Sequence, residues 1–425
     1  MTDTIFALSS GAPPAAIGVI RVSGPQAGAA LEALAGRLPE QRHASLAKLR
    51  GAKGDVLDEA LVLWLPGPNT ETGEDVAELQ CHGGRAVIAA IEAALAVLPG
   101  LRKAGPGEFT RRAFANGKID LAQAEGLADL LEAETELQRQ TAIAMAGGAF
   151  SRTVEGWRSE LLQLSAALEA VLDFSDEDDV ATLPGTFALR IGALEAQLAA
   201  WLTRPRAETL REGFRVVIAG PPNLGKSTLF NVLVQADAAI ATPIPGTTRD
   251  VLTRPVSYEG IPFLFADTAG LHDAVNDEVE AIGIERAMEA LDRADLVLWL
   301  GPEGEGPDGA WEIASQIDRE DSLVKRHARH RISAISGVGI EELRSDLIRT
   351  ARQALPKPGE AALNQRQHDL LRDAGRALGE ARREQDPLLT AEGLRIARVS
   401  FDSLLGRTTT EDLLDTLFGR FCIGK

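Results

Sequence analysis

The 425-residue sequence predicts a multidomain chain that combines α/β with all-α architecture. Three observations predict it. Residues 1–118 alternate short apolar runs with Pro/Gly turns, residues 119–212 and 356–425 carry Ala/Leu-rich helical periodicity, and residues 213–355 hold a glycine-rich loop between an apolar run and a helical pattern. A chain of this length exceeds one ordinary core, so two or three domains are expected.

In the first segment, Ile17–Val22 and Ala60–Leu65 read as strands, and Pro13-Pro14, Pro66-Gly67-Pro68-Asn69 and Gly105-Pro106-Gly107 read as turns. Ala86 to Leu98 has helical spacing and stops at Pro99-Gly100. From Asp120 the texture changes: Leu121, Ala124, Leu127, Ala128 and Leu131 recur at helical spacing, and the pattern runs to about Arg211 with a break at Asp176–Gly185. In the third segment Phe214–Ala219, Ile261–Ala266 and Asp295–Leu300 are apolar runs with helical patterns between, which predicts a mostly parallel sheet. Similar helical texture on both sides suggests one discontinuous helical bundle with the α/β domain inserted into it.

Composition excludes several function classes. The formal net charge of -18 makes the chain a poor general nucleic-acid binder, because such binding neutralises phosphates with Lys and Arg. No apolar run is long enough to span a bilayer, so no membrane role is expected. The N-terminal residues lack a secretory pattern, and the two cysteines, Cys81 and Cys422, form neither a CxxC pair nor a zinc pattern. A cytoplasmic protein is expected. Adjacent residues of an extended segment face opposite ways, so Cys81 and His82 are expected to be structural.

The chemistry concentrates in Gly220-Pro221-Pro222-Asn223-Leu224-Gly225-Lys226-Ser227, which fits G-x-x-x-x-G-K-[ST] and is followed by Thr228 in a helical pattern. Backbone N–H groups of such a loop face phosphates, Lys226 reaches the β/γ oxygens and the Ser227 hydroxyl ligates Mg²⁺. Asp267-Thr268-Ala269-Gly270 ends the second apolar run, where Asp267 can hold Mg²⁺ through water and Gly270 can sense a γ-phosphate. Thr248, within Gly246-Thr247-Thr248-Arg249-Asp250, is the candidate to complete the Mg²⁺ shell. Together these predict a P-loop GTPase domain. Leu271 follows the Asp-x-x-Gly element where many GTPases carry a glutamine, so the attacking water needs another orienting group, with the acidic stretch Asp277–Glu280 near in sequence.

Guanine is normally read by Asn-Lys-x-Asp, and that motif is absent. Counted back from Ser333-Ala334, which usually supports the base, Arg326, His327 and Arg329 stand where Asn, Lys and Asp are expected. Arginine cannot accept the base hydrogen bonds. Asp318 or Asp321 could substitute through a rearranged loop; weakened guanine discrimination is the expected outcome.

The run Asp267–Gly270, then Asp277-Glu278-Val279-Glu280 and Gly283-Ile284-Glu285-Arg286-Ala287, resembles the MnmE/TrmE family of tRNA-modification GTPases. So do Glu78-Leu79-Gln80-Cys81-His82-Gly83-Gly84, Pro106-Gly107-Glu108-Phe109-Thr110, Asp120–Glu125 and the ending Phe421-Cys422-Ile423-Gly424-Lys425. The resemblance implies an N-terminal folate-binding domain (1–118) that forms a homodimer, a helical domain in two parts (119–212 and 356–425) and a G domain (213–355). It implies a flavoprotein partner, MnmG/GidA, that carries the FAD, forms a heterotetramer with this chain and meets most of the tRNA. The implied reaction installs a carboxymethylaminomethyl group on the wobble uridine, with a tetrahydrofolate derivative as one-carbon donor. A K⁺ site falls on Asn223, Thr242, Ile244 and Thr247, whose amide, hydroxyl and carbonyl oxygens are hard ligands. The nucleotide then touches Asn223 to Thr228, Thr242-Pro243-Ile244-Pro245-Gly246-Thr247-Thr248, Asp267 to Gly270, and Ser333-Ala334. The water-orienting residue falls on Glu280, and the folate contacts on Arg21, Glu78, Lys118 and Lys425. Lys226, Glu280 and Cys422 are the catalytic candidates; Cys422 is either a nucleophile or a small packed residue. Two rival readings are a GTP-driven switch in ribosome assembly and a folate-dependent group-transfer enzyme with a degenerate G domain.

Overall fold

A computed structural model of the chain describes residues 3–173, 183–235, 252–267, 288–408 and 410–425. Its contacts form two compact units, Met1–Ala128 with Phe401–Lys425, and Asp129–Ser400.

The first unit is built on β1 (Thr4–Leu8), β2 (Ile17–Ser23), β3 (Ser45–Arg50), β4 (Val56–Leu65), β5 (Val76–His82) and β6 (Leu101–Lys103), in the order β3-β4-β5-β2-β1-β6. All neighbours are antiparallel except β1 and β6. Strand alternation sends Phe6, Ile20, Val22, Val62 and Leu79 to one face. There they bury against Leu31 and Leu34 of α1 (Ala27–Ala35) and Ile88, Ile91 and Leu95 of α2 (Arg85–Ala96), each worth about 1.5–3 kcal/mol. Ile5 and Ala7 point the other way, onto Phe109 of α3 (Glu108–Ala115).

Arg112 of α3 has no exposed surface, and its guanidinium donates to Glu74 at 3.0 Å and to Asp3 at 3.1 Å. The tail returns through a helix over Glu411–Phe418, whose Leu414, Leu417 and Phe418 pack on Leu121, Ala124 and Ala128 of α4 (Leu121–Glu132). The last residues are pinned: the Phe109 N–H donates to the Lys425 carbonyl at 3.2 Å. At Gly424 (φ +97°) a Cβ would stand 2.1 Å from the Leu8 carbonyl oxygen, so only glycine fits.

The second unit begins with α5 (Glu136–Ala146), α6 (Ala149–Asp173), α7 (Phe187–Leu202) and α8 (Ala207–Glu212). The inserted sheet follows: β7 (Phe214–Ala219), β8 (Leu252–Tyr258), β9 (Ile261–Asp267), β10 (Leu296–Trp299), β11 (Trp311–Ala314) and β12 (His330–Arg331), in the order β12-β11-β10-β7-β9-β8. Every pair is parallel except β8 with β9, so the expected mostly parallel sheet is present. Leu229 and Leu233 of α9 (Lys226–Gln235) and Leu343 and Leu347 of α10 (Ile340–Ala354) close its core. The β10–β11 connection is a loop rather than a helix, filled by Trp299: a Cβ at Gly301 or Gly306 would come within 2.5 or 2.6 Å of the indole. Beyond the sheet, α11 (Gln365–Arg383) lies along α7, with Arg382 3.1 Å from Glu195. The helical segments that flank the α/β domain in sequence therefore meet in space. α12 (Pro387–Leu404) and α13, the Glu411–Phe418 helix already described, complete the chain.

Candidate nucleotide site

The β7 strand delivers its chain to the glycine-rich loop at the carboxyl end of the sheet. The loop needs left-handed backbone at Asn223 (φ +65°) and Gly225 (φ +83°), and at Gly220 a Cβ would stand 2.9 Å from the Gly301 nitrogen. It then enters α9, whose N-terminal amides face the space above the loop. Lys226 is buried, and its Nζ donates to the Pro221 carbonyl at 2.8 Å. Burial pulls the Lys226 ammonium below its usual pKa, and the charge of Asp267 opposes that fall. Asp267, also fully buried, stands opposite Ile218 in the β7–β9 ladder, so the sheet itself brings the carboxylate to the lysine. Ser227 and Thr228 are exposed at the start of α9. A left-handed loop, a helix N-terminus, a buried lysine and a carboxylate fit a triphosphate with Mg²⁺. Thr242, Pro243, Ile244, Pro245, Gly246, Thr247, Thr248, Thr268, Ala269, Gly270 and Glu280 lie outside the described residues.

The segment after β11 bears on where a base could be read. The segment that follows β11 is Ser315-Gln316-Ile317-Asp318, and it borders the phosphate loop. Ser315 Oγ donates to the Leu224 carbonyl at 2.8 Å, and Gln316 Nε2 donates to the Asn223 carbonyl at 3.1 Å. The Ile317 N–H donates to the Ile332 carbonyl at 3.3 Å, which brings Asp318 beside the turn at Ser333-Ala334. Asp318 is exposed. Arg326, His327 and Arg329 are engaged elsewhere. The Arg326 and His327 N–H groups donate to Glu303, and the Arg329 guanidinium lies 3.8 Å over the Trp311 ring and bonds Asp346. β11, Trp-Glu-Ile-Ala, is only four residues long and carries a charge, so the sequence offers no clear strand end there from which to place a base-reading segment.

In the first unit Arg21 and Glu78 are directly opposed in the β2–β5 ladder. Arg21 Nε and Nη2 donate to one Glu78 oxygen at 3.0 and 2.8 Å, and Nη1 reaches Glu71 at 2.6 Å. Arg21 also opposes Ala7, so the pair lies on the face away from α1 and α2. Lys118 borders the same 71–74 loop, its Cε 3.0 Å from a Cβ position on Gly73. Lys425 sits at the pinned tail near the end of β1. Glu71 was not foreseen; its acidic neighbours in sequence gave no distinguishing signal.

The cysteines differ. Cys81 is buried and donates to the Gly18 carbonyl at 3.3 Å; burial, then the Asp58 charge, pushes its thiol up to about 11. His82 is exposed and pairs with Asp58 at 2.7 Å, on the opposite face as expected. Cys422 is exposed, and its carbonyl accepts from the Lys425 N–H at 3.2 Å.

Residues 4–118 match the family described as GTP-binding protein TrmE N-terminus, and residues 121–422 match the MnmE helical domain. The tRNA modification GTPase MnmE of Novosphingobium aromaticivorans is 63% identical, with 100% of both chains covered. That of Erythrobacter litoralis is 62% identical over 100% of both. The chain belongs to the MnmE family. The MnmE helical match starts before the inserted sheet and ends after it, as the packing of α11 on α7 requires. Among solved structures, Era in complex with MgGDPNP and 16S ribosomal RNA nucleotides is 24% identical over 41% of this chain and 69% of that chain, with a TM-score of 0.25. The G domain of the T. maritima FeoB iron transporter is 21% identical over 32% and 98%, with a TM-score of 0.20.

Proposed function

We propose that this chain is a K⁺-stimulated, Mg²⁺-dependent GTPase. With the flavoprotein MnmG/GidA, it installs a carboxymethylaminomethyl group at C5 of the wobble uridine of certain tRNAs. The observation that carries the reading is the loop with Lys226 and Asp267 at the carboxyl end of a parallel sheet, in a chain of the MnmE family. The domains proposed are 1–118, 119–212 with 356–425, and 213–355.

Lys226 holds the β/γ oxygens, and Ser227 and Thr248 ligate Mg²⁺ with Asp267 behind a water. Mg²⁺ supplies neutralisation of charge on the phosphates. Asn223, Thr242, Ile244 and Thr247 hold K⁺, whose charge replaces an arginine finger. Glu280 orients the attacking water. Asp318 reads the base: a carboxylate accepts from guanine N1–H and the N2 amino group, and adenine lacks that pair of donors. The Arg21–Glu78 pair, Lys118 and Lys425 take a tetrahydrofolate derivative, ionic groups suited to a pterin edge and a glutamyl carboxylate. The chain works in the cytoplasm as a homodimer, FAD belongs to the partner, and tRNA is met mainly through that partner.

The test is GTP turnover by the purified chain with Mg²⁺. Hydrolysis that is lost in Lys226→Ala supports the reading; no hydrolysis by the parent protein under K⁺ would remove it.

A further inference from the structure

Gln138, in the first turn of α5, makes four hydrogen bonds with one amide. Its Oε1 accepts from the Glu134 and Thr135 N–H groups, each at 2.9 Å. Its Nε2 donates to the Leu210 carbonyl at 3.1 Å and the Arg211 carbonyl at 3.3 Å. That fills the donor and acceptor capacity of the group. One side chain thus caps the start of α5 and holds the last turn of α8.

The last turn of α8 leads through Gly213 (φ +84°) straight into β7, the strand that carries the phosphate loop. The neighbouring residue, Leu137, donates its N–H to the Gly260 carbonyl at 3.0 Å. Gly260 immediately precedes β9, the strand that ends on Asp267. Two consecutive residues of α5 therefore grip the starting ends of two adjacent parallel strands, whose far ends bear the phosphate loop and Asp267. The rest of α5 packs on α6, part of the helical bundle.

The seam around this grip is incompletely filled. Gln138, Thr141, Leu210, Arg211 and Ala362 border a cavity of about 40 Å³. The Thr141 hydroxyl, on a residue 4% exposed, has no hydrogen-bond partner among the described residues.

We infer that Gln138 is a positioning residue that couples the sheet bearing the nucleotide site to the helical bundle: movement of β7 and β9 passes to α5 through α8 and Gly260, and α5 moves the bundle. This rests on the GTPase reading above. It assigns Gln138 no contact with nucleotide.

The test is hydrogen exchange of the α5 and α6 amides in the full-length protein with GDP and with a non-hydrolysable GTP analogue, alongside GTP turnover. Gln138→Glu keeps the two acceptor bonds of the cap and replaces the donor with an oxygen facing two carbonyls. It is expected to leave kcat and KM for GTP within about twofold, and to reduce the nucleotide-dependent exchange difference about fivefold or more. Thr141→Val, nearly isosteric and beside the amide, leaves its four hydrogen bonds in place and is expected to keep the same difference within about twofold. A full difference in Gln138→Glu, an equal loss in Thr141→Val, or no difference in the parent protein while it hydrolyses GTP, overturns the inference. Failure of the parent protein to hydrolyse GTP overturns the GTPase reading instead.

Discussion

The side-chain amide of Gln316 donates to the main-chain carbonyl of Asn223 at 3.1 Å, tying the segment after β11 to the glycine-rich loop. Ser315 adds a second tie one residue along, to Leu224. The strap fixes Asp318 two residues beyond Gln316.

Asp318→Asn should exchange guanine preference for xanthine preference. The amide presents donors where guanine also donates, whereas xanthine has a carbonyl at C2 that accepts. GTP affinity should fall about 100-fold, roughly 3 kcal/mol, and XTP affinity should rise. Arg326→Ala should leave both within about twofold. Competition of GTP, XTP, ITP and ATP for one fluorescent nucleotide measures this; an unchanged GTP preference in Asp318→Asn places base recognition elsewhere.

Potassium should stimulate hydrolysis far more than sodium, which is too small to span ligands set for the larger ion. Asn223→Ala should flatten that preference and leave nucleotide affinity within about threefold. Turnover in KCl and NaCl at matched ionic strength reads it, and equal rates in the two salts for the parent protein would refute the K⁺ site.

Glu280→Ala should lower kcat about 100-fold or more with GTP affinity similar, because a group that positions water acts on the transition state. Single-turnover hydrolysis and equilibrium nucleotide binding separate the two. Weak binding with normal turnover would contradict the role.

Arg112→Met should destabilise the first unit by about 3 kcal/mol, because it strands carboxylates arranged around a buried guanidinium. Burial raises the Glu108 carboxyl, but hydrogen bonds from Arg102 and the Gly105 N–H and the charges of Arg102 and Arg112 outweigh it and hold it below the usual glutamate range. A depressed carboxylate contributes stability above its unfolded pKa and loses it as pH falls through the folded value. Denaturant unfolding should show the parent protein losing stability below about pH 4.5, and Arg112→Met losing less over the same range. Identical pH profiles would contradict the cluster.

The strongest periodic signals in the sequence were the accurate ones. Phe214–Ala219 is β7 as expected, and the glycine-rich loop, Lys226 and Asp267 meet as their motifs require. What stayed hidden depended on short or mixed elements. β11 has four residues and one charge, so the contacts of Ser315 and Gln316 with the glycine-rich loop have no recognisable strand to announce them. The burial of Arg112 carries no local sequence signal, because it is set by partners as distant in sequence as Asp3. The contacts of Gln138 are equally invisible, since Leu210 and Arg211 lie about seventy residues away.

Nucleoside analysis of tRNA tests the central claim most directly. In a strain that lacks this chain, the carboxymethylaminomethyl-type group on the wobble uridine should vanish. The parent chain should restore it, and Lys226→Ala should not. A wobble uridine profile that is unchanged by loss of the chain would contradict the account.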